Sequence, residues 1–176
     1  VGLPGIRHSI GFGSYASVRT GAFMGYRMIA EMAGLKAEAT DRKGVVTIMD
    51  ERWNGYLANV APEEFERDFA RGIPKVVSGS DFLERFAGIT DTGSQVSPND
   101  NYAVFQPAKH PVYEHQRVTR SAAMLDGAIS DSTAREIGEM MFASHESYSA
   151  CGLGTGGTDL IVELVKRTPE LYGAKI

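Results

Sequence analysis

Cysteine is almost absent: Cys151 stands alone in 176 residues, so no internal disulfide can form and clustered Cys/His metal sites have no starting point. Four histidines, His8, His110, His115 and His145, are scattered and lack any i, i+4 pairing, which leaves metal chemistry without a ligand set. An excess of positive charge is missing too. Eighteen Lys+Arg face 22 Asp+Glu for a net charge of -4, so no basic field exists to hold a nucleic-acid backbone. No run approaches the roughly 18 to 20 apolar residues of a spanning helix, and the N-terminus lacks the basic-then-apolar layout of a secretory signal. The expectation is a cytoplasmic protein with no nucleic-acid or membrane partner. No internal repeat or low-complexity tract occurs.

What is present is a globular composition, 43% hydrophobic and 23% charged, with a glycine count of 20 that is high and clustered. After a glycine-broken opening, Ser14 is placed to cap a helix over residues 15–32. Its residues Val18, Ala22, Tyr26, Ile29 and Ala33 recur at three- and four-residue spacing, the stripe of an amphipathic helix. Gly21 and Gly25, four apart on another face, are expected to admit a neighbouring helix. Gly34 stops the helix, residues 36–44 read as a polar surface loop, and residues 45–49 are β-prone. Pro62 with Glu63 and Glu64 opens a short helix ended by Gly72 and Pro74; a second starts near Ser80 with Phe82, Leu83 and Phe86 inward. Residues 88–101 are turn-rich and expected to be exposed. Helices follow over 112–125, from Ser130 or Asp131 to about 148, and over 158–166. Helix dominates strand, the pattern of a helix-rich α+β fold, with further strands expected at or beyond the ends. The final YGAKI reads as a strand cut short.

The loop CGLGTGG holds Gly152, Gly154 and Gly157 at GxGxxG spacing. A dinucleotide fingerprint needs a buried strand before the glycines and a ribose-binding acid about 20 residues later, whereas EIGEMMFASHESYSA has helical period. Two readings stay open. The loop is a helix stop and tight turn, with Thr158 capping the next helix, or its N–H groups face a phosphate or sugar oxygen. Ser144, His145 and Asp159 contain the residue types of a hydrolytic triad, yet adjacent Ser and His on one helix point in different directions. No nucleophile elbow is present.

Three segments carry a family resemblance: GIRHSIGFGSYASVRTGAFMGYRMI at 5–29, AKHPVYEHQRV at 108–118 and ASHESYSACGLGTGGTDLIVELV at 143–165. In the same order they resemble the C-terminal half of L-arabinokinase-like and galactokinase-like sugar kinases of the GHMP superfamily. The stretch at 55–86 resembles the insert of the arabinokinase branch. The resemblance implies ATP- and Mg²⁺-dependent transfer of the γ-phosphoryl group to the anomeric hydroxyl of an L-arabinose- or galactose-like monosaccharide. Such transfer relies on positioning and charge stabilisation. It also implies a two-lobed kinase whose ribosomal S5-like N-terminal lobe is missing here and whose ferredoxin-like C-terminal lobe is incomplete. Residues 1–13 would end the first lobe, and 14–176 would form the second with an insert at about 36–107.

The family's phosphate loop (PxxxGLSSS) and the catalytic Asp of its GxMD motif lie upstream of the HS…Y segment, and its TGGGxGG loop follows YGAK(I/M). None of these occurs here. The triplet Ile48-Met49-Asp50 follows His8 and Tyr15 instead of preceding them, so it is not the catalytic Asp. The resemblance therefore assigns no catalytic residue to this chain, and it implies that the chain alone holds neither ATP nor Mg²⁺ and is inactive. It assigns Tyr15 a sugar-hydroxyl contact, a role suited to an apolar ring with a polar tip. Arg7, His8 and Ser9 match the segment leading to the sugar pocket, or fix the loop joining the lobes. Ser14 replaces the Glu of galactokinases and Arg19 is alone where they have paired arginines, departures that favour the arabinokinase branch. Gly152, Gly154, Thr155, Gly156 and Gly157 form a candidate ligand-facing loop. The alternative is a kinase-derived, non-catalytic sugar-binding or regulatory module, or an interaction domain that keeps the fold alone.

Overall fold

A computed structural model describes residues 12–175, with side chains from Tyr15 onward. Helix α1 (Phe12–Met32) runs through the middle of the molecule. It starts ahead of Ser14, which therefore lies inside the helix and does not cap it. The anticipated stripe is only part of its buried surface: Met24, Tyr26, Arg27, Met28, Ile29 and Ala30 are all buried. A helix covered all round has neighbours on several sides, and α1 packs against strand β4, helix α3 and helix α4.

Strand is sparse. β1 (Ala37–Ala39) pairs antiparallel with β2 (Val46–Ile48), placing Glu38 opposite Thr47. Part of the expected surface loop is thus strand, because a second extended segment lies within reach to pair with it. Pro62 opens α2 (Pro62–Glu64), which continues through a π-helical turn, Phe65–Phe69, and a 3-10 turn, Ala70–Gly72. That change of pitch turns both Phe65 and Phe69 inward. β3 (Val76–Ser78) pairs with β4 (Asn101–Ala103), with Val77 opposite Tyr102. Between them lies α3 (Gly79–Phe86). Its N-cap is Ser78, whose hydroxyl accepts from the Asp81 amide at 3.1 Å, and Ala87 ends it in the left-handed region at φ 63°. Phe82 and Phe86 point inward as anticipated and their rings stack at 4.9 Å. The turn-rich segment after α3 is less exposed than its composition suggests: Ile89, Asp91 and Val96 are buried.

The largest correction concerns α4, which spans Phe105–Leu125 and carries Pro111 inside it. A proline in a helix interior removes one backbone hydrogen bond and costs about 3 kcal/mol. Here Val104 and Ala108 pack against α1 at Gly25, and Val112, one turn beyond Ala108, is buried as well. Gly21 and Gly25 make that approach possible, as the sequence suggests. A Cβ on Gly21 would run into the Ala103 carbonyl, and one on Gly25 into the Cβ of Ala108. α5 (Asp131–Ala150) is capped by Ser130, and α6 (Gly156–Lys166) packs on α5.

The core holds Trp53, Leu57, Val60, Phe65 and Phe69 from the 50–70 segment together with Met24, Ile29, Phe82 and Val104. The region expected as an insert therefore shares one core with α1 and α4. Helix-rich α+β describes the chain, its strands confined to two two-stranded sheets among the described residues. Residues 171–175 form no strand. They cross α5 where Gly138 leaves no room for a Cβ beneath the Tyr172 carbonyl.

Candidate functional site

Tyr15 stands on the first turns of α1 with half of its surface exposed. Arg19 follows one turn later on the same face. Its Nε donates to Asp91 Oδ2 at 2.9 Å and its Nη2 to Asp91 Oδ1 at 3.0 Å. The Gly93 amide donates to the same Oδ1 at 3.2 Å. The hydrogen bonds from Arg19 outweigh burial and hold the Asp91 carboxyl well below the usual carboxylate range. Asp91 in turn raises the Arg19 pKa, with a smaller contribution from neighbouring Tyr15. The Arg19 guanidinium lies 5.5 Å from the Phe23 ring. Phe23 also lines a 200 Å³ cleft with Ala22, Tyr26, Tyr56, Leu57 and Pro111. Arg7, His8 and Ser9 lie outside the described residues.

The glycine loop is built by its own hydrogen bonds. Gly152 has φ 82°, and its amide closes α5 on the Ser149 carbonyl at 2.9 Å. Thr155, not Thr158, is the N-cap of α6. Its Oγ1 accepts from the Thr158 amide at 3.2 Å while the Thr155 amide donates to Thr158 Oγ1 at 2.8 Å, a reciprocal capping box. The sequence points to Thr158 because it directly precedes the periodic residues, but the helix takes in Gly156 and Gly157 first. Gly154 has a packing reason: a Cβ there would strike the Ser149 side chain and come within 3.0 Å of Asp159 Oδ1. Gly156 faces open space. α6 rests on α5 and α5 on α4, so the loop is two helices away from α1 and Tyr15.

Asp50, the decoy for a catalytic Asp, accepts hydrogen bonds from the Arg52, Trp53 and Gly55 amides and from the Tyr26 hydroxyl at 2.8–2.9 Å. It anchors the turn that carries Trp53. Ser144 and His145 diverge as the helix geometry requires. Ser144 Oγ donates to Glu114 Oε1 at 2.7 Å, whereas His145 Nε2 lies 3.0 Å from Asp159 Oδ1. Ser149 Oγ donates to that same Oδ1 at 3.0 Å.

A polar cluster that sequence reasoning missed surrounds Glu114, which lines a 380 Å³ groove between α4 and α5 with Arg117, Ser144 and Lys175. Burial raises the Glu114 pKa, but hydrogen bonds from Lys175, Ser144 and Arg117 outweigh it and hold the carboxyl at about 2. Glu114 and Arg117 stand at i, i+3 within AKHPVYEHQRV, and that spacing was the available signal. Among the described residues, no group of three or more His, Cys, Asp or Glu could hold a metal ion, and no helix is long and apolar enough to cross a membrane.

No family model matches the chain. It is 37% identical to L-arabinokinase of Arabidopsis thaliana over 193 aligned positions, which take in 98% of this chain and 19% of that relative. The chain thus spans less than a fifth of the length of the curated relative it matches. Identity at that level runs along nearly the whole chain, which is therefore similar to one region of that L-arabinokinase.

Proposed function

We propose that this chain is one region of an ATP-dependent sugar-1-kinase, in which Tyr15 donates a hydrogen bond to a hydroxyl of an L-arabinose- or galactose-like monosaccharide. The observation that carries the reading is 37% identity along 98% of the chain to an L-arabinokinase. The half-exposed phenol of Tyr15, one turn ahead of a clamped arginine, supports that reading. In this reading residues 14–176 belong to the C-terminal lobe, residues 36–107 are the arabinokinase-type insert, and Arg7, His8 and Ser9 lead into the sugar pocket. The intact kinase uses ATP and Mg²⁺ in the same reading.

The glycine loop and the carboxylates described above do not fit an ATP·Mg²⁺ site. The glycine loop spends the Thr155 and Thr158 donors on its own capping box, Gly154 is shaped by Ser149, and the carboxylates described above are engaged by protein donors. In this reading ATP and Mg²⁺ belong to other parts of the intact kinase.

The test is sugar-dependent ADP release by the purified intact gene product against a panel of pentoses and hexoses, with the 176-residue chain alone inactive. Tyr15→Phe in the intact protein removes one hydrogen bond to a neutral hydroxyl, worth about 0.5 to 1.5 kcal/mol. The expected result is a rise in sugar KM, or a fall in kcat, of about 2- to 12-fold with little change in Tm. Turnover by the 176-residue chain, or a kinetically normal Tyr15→Phe, overturns the corresponding part of the proposal.

A further inference from the structure

The face that presents Tyr15 carries a second donor. Arg19 uses its Nε and one Nη2 proton to grip both oxygens of Asp91, so three of its five guanidinium N–H donors lie off that carboxylate. The Asp91 side chain is 8% exposed, whereas that of Arg19 is 45% exposed. The pair is thus rigid at its carboxylate and open at its guanidinium. Phe23, 5.5 Å from that guanidinium, also forms part of the wall of the 200 Å³ cleft, so the arginine stands one side chain away from a concave surface.

Charge decides what such a surface takes. An unpaired arginine suits phosphate or carboxylate, which accept its fork in a bidentate manner. Here the fork is already filled by Asp91, and that carboxylate would sit beside any anion taken by the remaining donors. A neutral polyhydroxyl ligand gains the hydrogen bonds without the repulsion. We propose that Arg19, held by Asp91, is a second sugar-hydroxyl donor beside Tyr15, so that this face takes the neutral monosaccharide and not a phosphate group. The inference rests on the sugar-kinase reading and deepens it. The segment that supplies Asp91, 72 residues along the chain from Arg19, becomes a positioning element of the sugar pocket.

Calorimetry on the intact gene product with L-arabinose, D-galactose and inorganic phosphate tests this, with Tm followed in parallel. Arg19→Gln should weaken sugar binding about 10- to 100-fold, the scale of a hydrogen bond from a charged donor. Asp91→Asn, close in shape, should weaken it in the same direction by releasing the guanidinium. Arg19→Lys should not rescue, because an ammonium lacks the fork that Asp91 grips. A lowered Tm with unchanged sugar affinity in both Arg19→Gln and Asp91→Asn makes the pair structural and overturns the inference. So does phosphate binding that disappears in Arg19→Gln, or a wild-type protein that binds neither sugar. Sugar binding lost in the variants, in a protein that transfers no phosphoryl group, breaks the kinase reading alone. Phosphoryl transfer with sugar affinity unaltered in both variants breaks this inference alone.

Discussion

Between α1 and α4, Ile29, Trp53, Phe65, Phe82, Ile89 and Val104 are each at most 1% exposed, whereas α5, α6 and the turn between them offer Phe142, Cys151 and Val162 as buried apolar residues. The α5–α6 pair instead buries Ser144, His145 and Thr158 and attaches through Glu114, Asp159 and Lys175. Apolar burial is non-directional and independent of protonation, worth about 25 cal/mol per Å². Polar ties are directional and titrate. Acid or local opening should therefore reach α5 and α6 before it reaches the α1–α4 body, since regions with few buried apolar contacts open at lower free energy.

The heaviest blow to the larger core is Phe82→Ala, expected to cost about 3 to 5 kcal/mol in denaturant unfolding. Phe142→Ala should cost less, and equal losses would break the contrast. Gly21→Ala should cost about 1 to 3 kcal/mol through overpacking against the Ala103 carbonyl, despite a gain of up to about 1 kcal/mol in helix propensity. A neutral or stabilising result would show that α1 can move away from β4.

Glu114→Gln probes the other region and should cost about 1 to 3 kcal/mol at neutral pH. Its pH dependence has a definite sign. The folded carboxyl at about 2 lies below its ordinary value of 4.5, so the stabilisation is complete above about 4.5 and is lost as pH falls toward 2. Protection factors of α5 amides, taken relative to intrinsic exchange at each pH, should fall across that window in the wild type and lose that step in Glu114→Gln. The smallest effect is at Cys151, whose thiol burial pushes up to about 11. Labelling by a thiol reagent at pH 8 should be slow and should speed up in Glu114→Gln but not in Gly21→Ala. Equal acceleration by both would mean that the two regions open together.

The legible parts were local. The cap at Ser130, the Pro62 start and the Gly21/Gly25 pair all act within a turn or two of themselves. Pro111 misled because local chemistry forbids what burial of Val104, Ala108 and Val112 enforces. Thr158 misled because apolar period marks a buried face, and α6 begins with two glycines that carry none. At the candidate site, Tyr15 was nominated by its motif, whereas Asp91 had no local signal. Nothing in the turn-rich segment around it says which cation it will meet.

The amino-acid order by itself settled that helix dominates strand, that Gly21 and Gly25 face a close neighbour, and that adjacent Ser144 and His145 cannot share one task. These follow from backbone geometry, whose range is a few residues. Only the tertiary structure decided that Asp91 grips Arg19 and that Ser144 and Lys175 meet Glu114. Such pairings depend on which faces the packing buries together. A carboxylate taken out of water must find its donors wherever the fold has brought them, however distant in the chain.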